Sequence, residues 1–470
     1  MNLLTSLINY GGRVTDDKDL RTIDIILKRY YNSDSLVSGT KLSGSGIYII
    51  PHIKDEESSH ADFQEYILQL PIVPDPEVFG MHKNADITCA ENETYNMLSS
   101  ILSLSGSAGG GDTSSRDKEI LDIAKNIEGG LTQPDEGFME EDATKLKFPI
   151  LYEESMNTVL RQEQQKFNRL LRVMKKTLVG VQLAVQGLAV MSGELEDMAD
   201  AFYTQRVPDA WESVAYPSLK PLSAWVSELT QRCEFMVDWV DNGTPLKYWV
   251  SGFFFPQAFL TGNLQNYGKC TVLPCVTATA STQCDFSGAV FVGAFANQNC
   301  FSLLLHFFCS LHCSARKYQL PIDTISNNFV MRDDLALDGS DVTENPKDGC
   351  YIWGLWLEGA GWSFETHALA DSEPRKLYTE LPIMHLDPMA NREYTSSGIY
   401  RCPVYKTLLR AGMLSTTGHS TNFVCWCELP STTETILRPN LVSETNQAVD
   451  LADSEKWILA GVALFCQLRF

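Results

Sequence analysis

Between Leu151 and Val207 apolar side chains return every three or four positions: Leu160, Phe167, Leu170, Leu171, Met174, Leu178 and Val181 share one stripe, while Arg161, Gln165, Arg169 and Lys176 point elsewhere. That period predicts a long amphipathic helical section that packs through the stripe. Val207-Pro208 stops it. Pro221 then opens a second predicted helix over Leu222, Trp225, Leu229, Met236 and Val240, which Asn242-Gly243 ends. A weaker helical period runs through Leu20, Ile23, Ile26, Leu27 and Tyr30, and recurs over 62–70 and 85–104. Thr15 or Asp16 stands where it could cap the first of these helices, and the neighbouring aspartates suit the positive end of its dipole without needing a catalytic role.

After Tyr318 the pattern changes. Short β-branched and aromatic runs at 349–358, 381–386, 399–406, 422–429 and 462–468 are separated by Gly, Pro, Asn and Asp, which predicts strands. The sequence therefore reads as α+β, helices first and a small antiparallel sheet or barrel last. Trp225, Phe253, Trp353 and Trp426 are expected in the core, each lying in a periodic apolar pattern. Cys425 and Cys427 alternate along one strand and are expected on one face as buried thiols.

At 470 residues the protein is long enough for two to four domains, each with its own core. Hydrophobic residues at 44% and charged residues at 20% fit a globular protein. The formal net charge of −22 argues against a nucleic-acid or anionic-membrane partner, because phosphate recognition needs clustered Lys and Arg. The N-terminus lacks a basic start, an apolar stretch and a cleavage site, so an intracellular protein is expected, and Asn92 and Asn242 match glycosylation acceptors by chance. No uninterrupted apolar span of about twenty residues occurs; Asn297, Gln298, Asn299 and His306 break the one membrane-like stretch at 286–313.

Residues 268–314 differ in character from their surroundings. They carry only two charged residues, Lys269 and Asp285, yet six of the thirteen cysteines. The seven cysteines outside are odd in number and unpaired in spacing, as expected of reduced thiols. Within the segment His306, Cys309, His312 and Cys313 have a spacing that could hold zinc in a tetrahedral nitrogen and sulfur shell, or serve a catalytic sheet protein as a functional insertion. Read as codons, Gly268-Lys269-Cys270 fits a splice donor, Ser314-Ala315 fits an acceptor, and the Phe/Ser/Leu-rich run from Asn299 to Leu311 is what a pyrimidine tract encodes. A translated intron explains the segment better than a metal site does, and it is expected to lie outside the core.

Other constellations carry less chemistry. Ser415, His419 and Ser420 occupy a polar turn, but no Gly-x-Ser-x-Gly elbow accompanies them, and hydroxyl-rich turns ordinarily bond their own backbone. Ser38 and Lys41 have Ser-x-x-Lys spacing without its companion motifs. The Gly-rich run at 105–115 reads as a flexible loop, lacking the Gly-Lys-Ser/Thr ending of a phosphate cradle. The carboxylate pairs Asp16/Asp17, Glu56/Glu57, Glu140/Glu141 and Asp333/Asp334 read as solvated surface. No catalytic, cofactor-binding or metal-binding residue is assigned from these patterns, and no phosphate loop of the P-loop kind is present.

Several strings resemble dynein heavy chains. Gly11-Gly-Arg-Val-Thr-Asp-Asp17 and Phe79-Gly-Met-His82 resemble the helical lid of the sixth AAA+ module, which implies a lid over residues 1–145. Leu151-Tyr-Glu-Glu-Ser-Met-Asn-Thr-Val-Leu160, Ala215-Tyr-Pro-Ser-Leu-Lys-Pro-Leu222, the 249–267 string joined through one Ala to Arg316-Lys-Tyr-Gln-Leu-Pro-Ile-Asp323, and the strings at 402–406, 412–422 and 461–468 resemble the dynein C-terminal domain, over 146–470. In that domain helices would occupy about 151–267, the last of them continuing from Tyr267 through Arg316 to Tyr318, with a β-barrel over 318–470. The resemblance implies a motor fragment without the ATP-hydrolysing modules or the microtubule-binding stalk, not itself an enzyme and without cofactor. Its role would be structural and regulatory, and its partners the remaining AAA+ ring and the dynein intermediate and light chains, with microtubules reached only through the absent stalk. The spelling Gly252-Phe-Phe-Phe-Pro-Gln-Ala-Phe259 is closer to axonemal than to cytoplasmic dyneins, which implies a cytoskeletal place in a cilium or flagellum.

Overall fold

The computed structural model describes residues 4–42, 46, 48–51, 60–72, 84–108, 113–131, 140–151, 154–276, 325–390, 398–410, 413–414, 418–431 and 453–469. Its longest helix, α6 (Ser155–Val185), follows α1 (Asp17–Tyr30), α2 (His60–Gln69), α3 (Asn84–Ala108), α4 (Thr113–Gly130) and α5 (Glu141–Lys147). The whole expected stripe of α6, from Leu160 to Val181, is buried. It packs against α10 (Pro256–Val276), α9 (Leu222–Asn242) and the shorter α7 (Gly193–Tyr203) and α8 (Asp209–Glu212). Pro221 stands at the N-cap of α9 and Gly243, with φ of 99°, closes it in a left-handed conformation that a side chain would strain.

Aromatic rings fill the space between these helices. Trp211 stacks on Trp225 at 5.9 Å, and Phe167 meets Phe254 edge to face at 4.6 Å. Trp225 and Phe253 are buried as expected. The helices α4 and α5, which fall within the expected lid, also pack here: Ile120, Ala124 and Ile127 of α4 join the main core, and Thr144 of α5 accepts a hydrogen bond from Gln164 of α6 at 3.0 Å. The expected loop at 105–115 is helical over 105–108 and 113–115, because the glycine run proper spans only 109–111.

The C-terminal strands form two sheets and a hairpin. One sheet orders β1 (Lys247–Trp249), β3 (Cys350–Trp353), β8 (Met384–Ala390) and β2 (Ile325–Met331). The other orders β10 (Phe423–Pro430), β9 (Ile399–Tyr405), β11 (Ala463–Phe465), β4 (Trp356–Glu358) and β7 (Tyr378–Glu380), while β5 (Ala360–Ser363) pairs with β6 (Ala368–Asp371). Pairing is antiparallel except for β1 with β3 and β11 with β9. The helix α11 (Asp453–Leu459) precedes β11.

The α+β class holds, but among the described residues the sheets do not close into a barrel. The run expected as one strand at 349–358 is cut at Gly354, whose φ is 90° and where an added Cβ would come within 2.5 Å of the Trp249 ring. The backbone turns there and the two halves of the run enter different sheets. Two expected core residues are only half-buried. Trp353 stacks at 5.6 Å on Trp249 of the edge strand β1, and Trp426 on β10 lies under two arginines. Helix α10 continues through Val276, nine residues into the segment of foreign character; the rest of that segment, with His306, Cys309, His312 and Cys313, and the expected helix end at 316–318 lie outside the described residues.

Candidate functional site: an ionic seam between a helix and a sheet

The periodicity of helix α1 predicts docking through Leu20, Ile23, Ile26, Leu27 and Tyr30. The side it buries deepest is instead Lys18, Thr22 and Ile25. Lys18 is 6% exposed and its ammonium pairs with the Glu358 carboxylate at the end of β4, while its backbone N–H donates to the Tyr405 hydroxyl on β9 at 2.9 Å. The lysine reaches this depth because Gly461, with φ of 69°, leaves room: a Cβ there would sit 3.2 Å from the lysine Cε. Thr22 donates through Oγ1 to the Ile458 carbonyl at 2.9 Å, tying α1 to α11.

Arg21 continues the contact along the outer face of the second sheet. It donates to the Arg401 carbonyl and to the Tyr400 hydroxyl, each at 2.9 Å, and its guanidinium lies 4.9 Å from the Trp426 ring, which Arg401 covers at 4.7 Å. These stacked cations are why Trp426 stays at an interface rather than in the core. Arg410 bridges Asp19 of α1 and Glu358, the latter at 3.6 Å. His419 Nδ1 lies 2.8 Å from the Asp17 carboxylate, and its ring stacks on Phe423.

The electrostatics of the seam centre on Glu358. Burial works to raise its pKa, but Lys18 and Arg410 outweigh that and hold the carboxyl below its usual range. A buried charge so paired binds two elements in one register, because neither member can be left behind without a large desolvation penalty. A second latch joins the same units: the Asn84 side chain, at the start of α3, donates to Ser372 and to the carbonyls of Glu373 and Lys376, and accepts from the Arg375 N–H.

The carboxylate pairs expected on open surface are therefore partly structural. Asp16 is buried and Asp17 serves the seam; Asp333 pairs with His367 and Asp334 with Arg332; Glu141 accepts from Arg172; Glu56 and Glu57 lie outside the described residues. In the polar turn Ser420 accepts from the Asn422 N–H at 3.2 Å, bonding its own backbone, while His419 is turned to the helix and Ser415 lies outside the described residues. Ser38 sits in a turn where Gly39 has positive φ, and Lys41 pairs with Ile49 in a β-bridge. Among the described residues no three His, Cys, Asp or Glu side chains gather to hold a metal, and no helix is long and apolar enough to cross a membrane. The arrangement is suited to holding two units together, not to bond-making chemistry.

The two sides of the seam fall in separate family matches. Residues 91–287 and 308–466 match the C-terminal domain of the dynein heavy chain, and residues 1–85 match the AAA lid domain of the same family. The protein belongs to the dynein heavy chain family. It is 42% identical over 464 residues to dynein axonemal heavy chain 1 of Mus musculus, a match that covers 98% of this sequence and 9% of that protein. It is 37% identical over 469 residues to dynein axonemal heavy chain 3 of Homo sapiens, covering 100% of this sequence and 10% of that one, and 36% identical over 470 residues to dynein axonemal heavy chain 12 of Mus musculus, covering 100% and 13%. It thus spans about a tenth of the length of these dynein relatives. Within the family frame α1 and α2 are lid helices, both sheets belong to the C-terminal domain, and the matched regions comprise a lid and a C-terminal domain rather than a nucleotide-binding module.

Proposed function

We propose that this protein is the structural and regulatory C-terminal part of an axonemal dynein, contributing to the microtubule-based beating of a cilium or flagellum. The observation that carries the reading is the buried Lys18–Glu358 pair, which fastens the lid of the last AAA+ module to the C-terminal domain. A lid tied this way passes movement of the ring to the domain as a rigid displacement. In this reading α4 and α5, within a lid of about 145 residues, act as the bracket joining it to α6 and α7. The partners are the remaining AAA+ ring of the same heavy chain and the intermediate and light chains of the complex; microtubules are met through a stalk elsewhere in the motor. The segment by itself hydrolyses no ATP.

The test is a dynein motor whose C-terminal segment is replaced by this one, assayed for microtubule gliding velocity and stall force beside a version carrying Lys18→Met. A changed force at unchanged microtubule affinity is the expected result. Equal velocity and force in both, and in a motor truncated before the C-terminal domain, would remove the regulatory role.

We also propose that residues 268–314 are a translated intron. The C-terminal domain match leaves out residues 288–307, the middle of this segment, which supports extra sequence there. Transcripts joining Tyr267 to Ala315 are expected. If every transcript retains the segment, the proposal fails, and zinc content that falls on Cys309→Ser would favour a metal site at His306, Cys309, His312 and Cys313.

A further inference from the structure

The outer face of α6 runs against the charge of the whole protein. Over the full sequence 59 Asp and Glu outnumber 37 Lys and Arg, yet the only carboxylate in α6, Glu163, is buried. Arg161, Lys166, Arg169, Arg172, Lys175 and Lys176 all lie outside the apolar stripe, and every one but the half-buried Arg161 is exposed. At the helical period Arg161, Arg169, Arg172 and Lys176 fall on one arc of about 80° along about 22 Å of helix. Such a row is not self-stabilising, since Arg169 with Arg172 and Arg172 with Lys176 are like charges one turn apart. Glu141 of α5 relieves one of them by accepting from Arg172 at 3.0 Å, while Arg161, Arg169 and Lys176 form no ion pair among the described residues. The same arc then turns apolar. Val179 and Leu183, one and two turns past Lys176, are 41% and 40% exposed. Beyond them Gly187, with φ of 73°, reverses the chain, Leu188 donates its N–H to the Leu183 carbonyl at 2.8 Å, and Leu188, Val190 and Met191 stand exposed in the turn.

We propose that this face is a docking site for an acidic segment of a separate polypeptide, whose apolar end seats on the tip of α6 at Val179, Leu183 and Leu188. Carboxylates of the partner meet Arg161, Arg169 and Arg172 as planar, two-pronged pairs and relieve the repulsion along the row. An apolar side chain at the partner's end covers the tip and fixes which way the segment lies. The mixture of charge and apolar anchor points to a separate polypeptide. Permanent contacts resemble a divided core and are poor in charge, whereas reversible contacts between separately folded proteins are polar, steered by charge and anchored at a few apolar points. Nucleic acid and anionic membrane fit the face less well. Either spreads phosphate beyond so narrow an arc, onto a protein of net charge −22 that repels it, and a short acidic segment meets only the row. None of these residues takes part in the seam at Lys18.

Fluorescence anisotropy of the full protein with labelled peptides of about 16 residues, long enough to span the row as a helix, tests this. The probes are a Glu-rich peptide with leucines at one end, made in both orders, the same peptide with serines in their place, and a Lys-rich control. A short RNA duplex and vesicles of phosphatidylserine and phosphatidylcholine are titrated beside them. The leucine-ended acidic peptide is expected to bind in low salt in one of its two orders, and to weaken as ionic strength rises. Its affinity should fall about tenfold against Arg169→Glu combined with Lys176→Glu, the scale of two exposed pairs turned repulsive. Leu188→Ser should bring it down to the affinity of the serine-ended peptide and leave the latter unchanged. Should the reversed variant lose its helical circular dichroism, Arg169→Gln with Lys176→Gln takes its place. Acidic peptides that bind no better than the Lys-rich control, binding unmoved by the charge substitutions, equal affinity for leucine and serine ends, or tighter binding of the RNA or the vesicles each overturns the proposal.

Discussion

Helices α6 and α1 are both amphipathic, yet they dock by opposite means. α6 buries an apolar stripe from Leu160 to Val181, with the polar side chains of Glu163, Gln164 and Asn168 beside it. α1 buries Lys18 and Thr22 against a sheet and leaves Ile23, Ile26 and Leu27 only half-covered. Hydrophobic burial is non-directional and tolerates small slips, whereas a buried ion pair fixes one register and penalises every other. The helical section is thus built for bulk stability, and the seam between lid and C-terminal domain for a defined relative position.

The largest effect expected from breaking this contrast is in α6. Phe167 is fully buried and meets Phe254 edge to face, so Phe167→Ala should cost about 3–5 kcal/mol, read as a fall in the denaturant midpoint. A change under about 1 kcal/mol would show that the aromatic cluster does not carry the fold.

Next comes the seam. Lys18→Met leaves Glu358 buried with Arg410 as its remaining cation, and should cost about 3 kcal/mol, the lower end for a broken buried pair. Adding Glu358→Leu should recover most of that, because two apolar side chains of similar volume avoid the desolvation penalty altogether. The comparison sharpens if the double variant regains stability but loses protection of α1 from hydrogen exchange; an intact, rigid α1 would mean that the charges set no register.

How much of this was legible follows from the same physics. Periodicity located the start of α6 and both ends of α9 to within a few residues, because their cores are made of the side chains that periodicity counts, but it ran α6 and α7 together and missed the break after Val185. It missed the docking face of α1, since a lysine that neutralises a distant glutamate looks like any surface lysine until β4 is brought opposite. The only local trace was Gly461, whose positive φ and missing side chain leave space for Lys18. Trp353 and Trp426 looked like core because aromatic residues in strands usually are, but each caps a sheet face against cations or a second ring. The break at Gly354 was hidden inside an otherwise continuous apolar run.

A smaller effect separates the two regions by pH. Glu358 titrates below the ordinary glutamate range because Lys18 and Arg410 offset its burial, so its contribution is present above that range and is lost as pH falls through its folded value. Acidification should therefore loosen α1 from the sheet before α6 leaves its core. Trp426, sandwiched by Arg21 and Arg401 at the seam, is expected to change its fluorescence ahead of the loss of helical circular dichroism. Coincident transitions would show that the seam has no separate stability.

The smallest effect lies at the rim of the seam. Arg410 is 43% exposed and Asp19 36%, so their pair competes with water and salt, unlike Lys18 and Glu358 at 7% and 10%. Arg410→Gln should cost about 0–1 kcal/mol. Part of that arises from the weaker contact to Glu358 at 3.6 Å, which salt reaches less easily. Raising ionic strength from about 0.05 to about 0.5 M shortens the screening length severalfold and should bring wild type and Arg410→Gln closer together, while the gap between wild type and Lys18→Met should hardly move. If salt closes both gaps equally, Lys18 is solvated in solution and the seam is an ordinary surface contact; if it closes neither, Arg410 belongs to the buried part of the lock alongside Lys18.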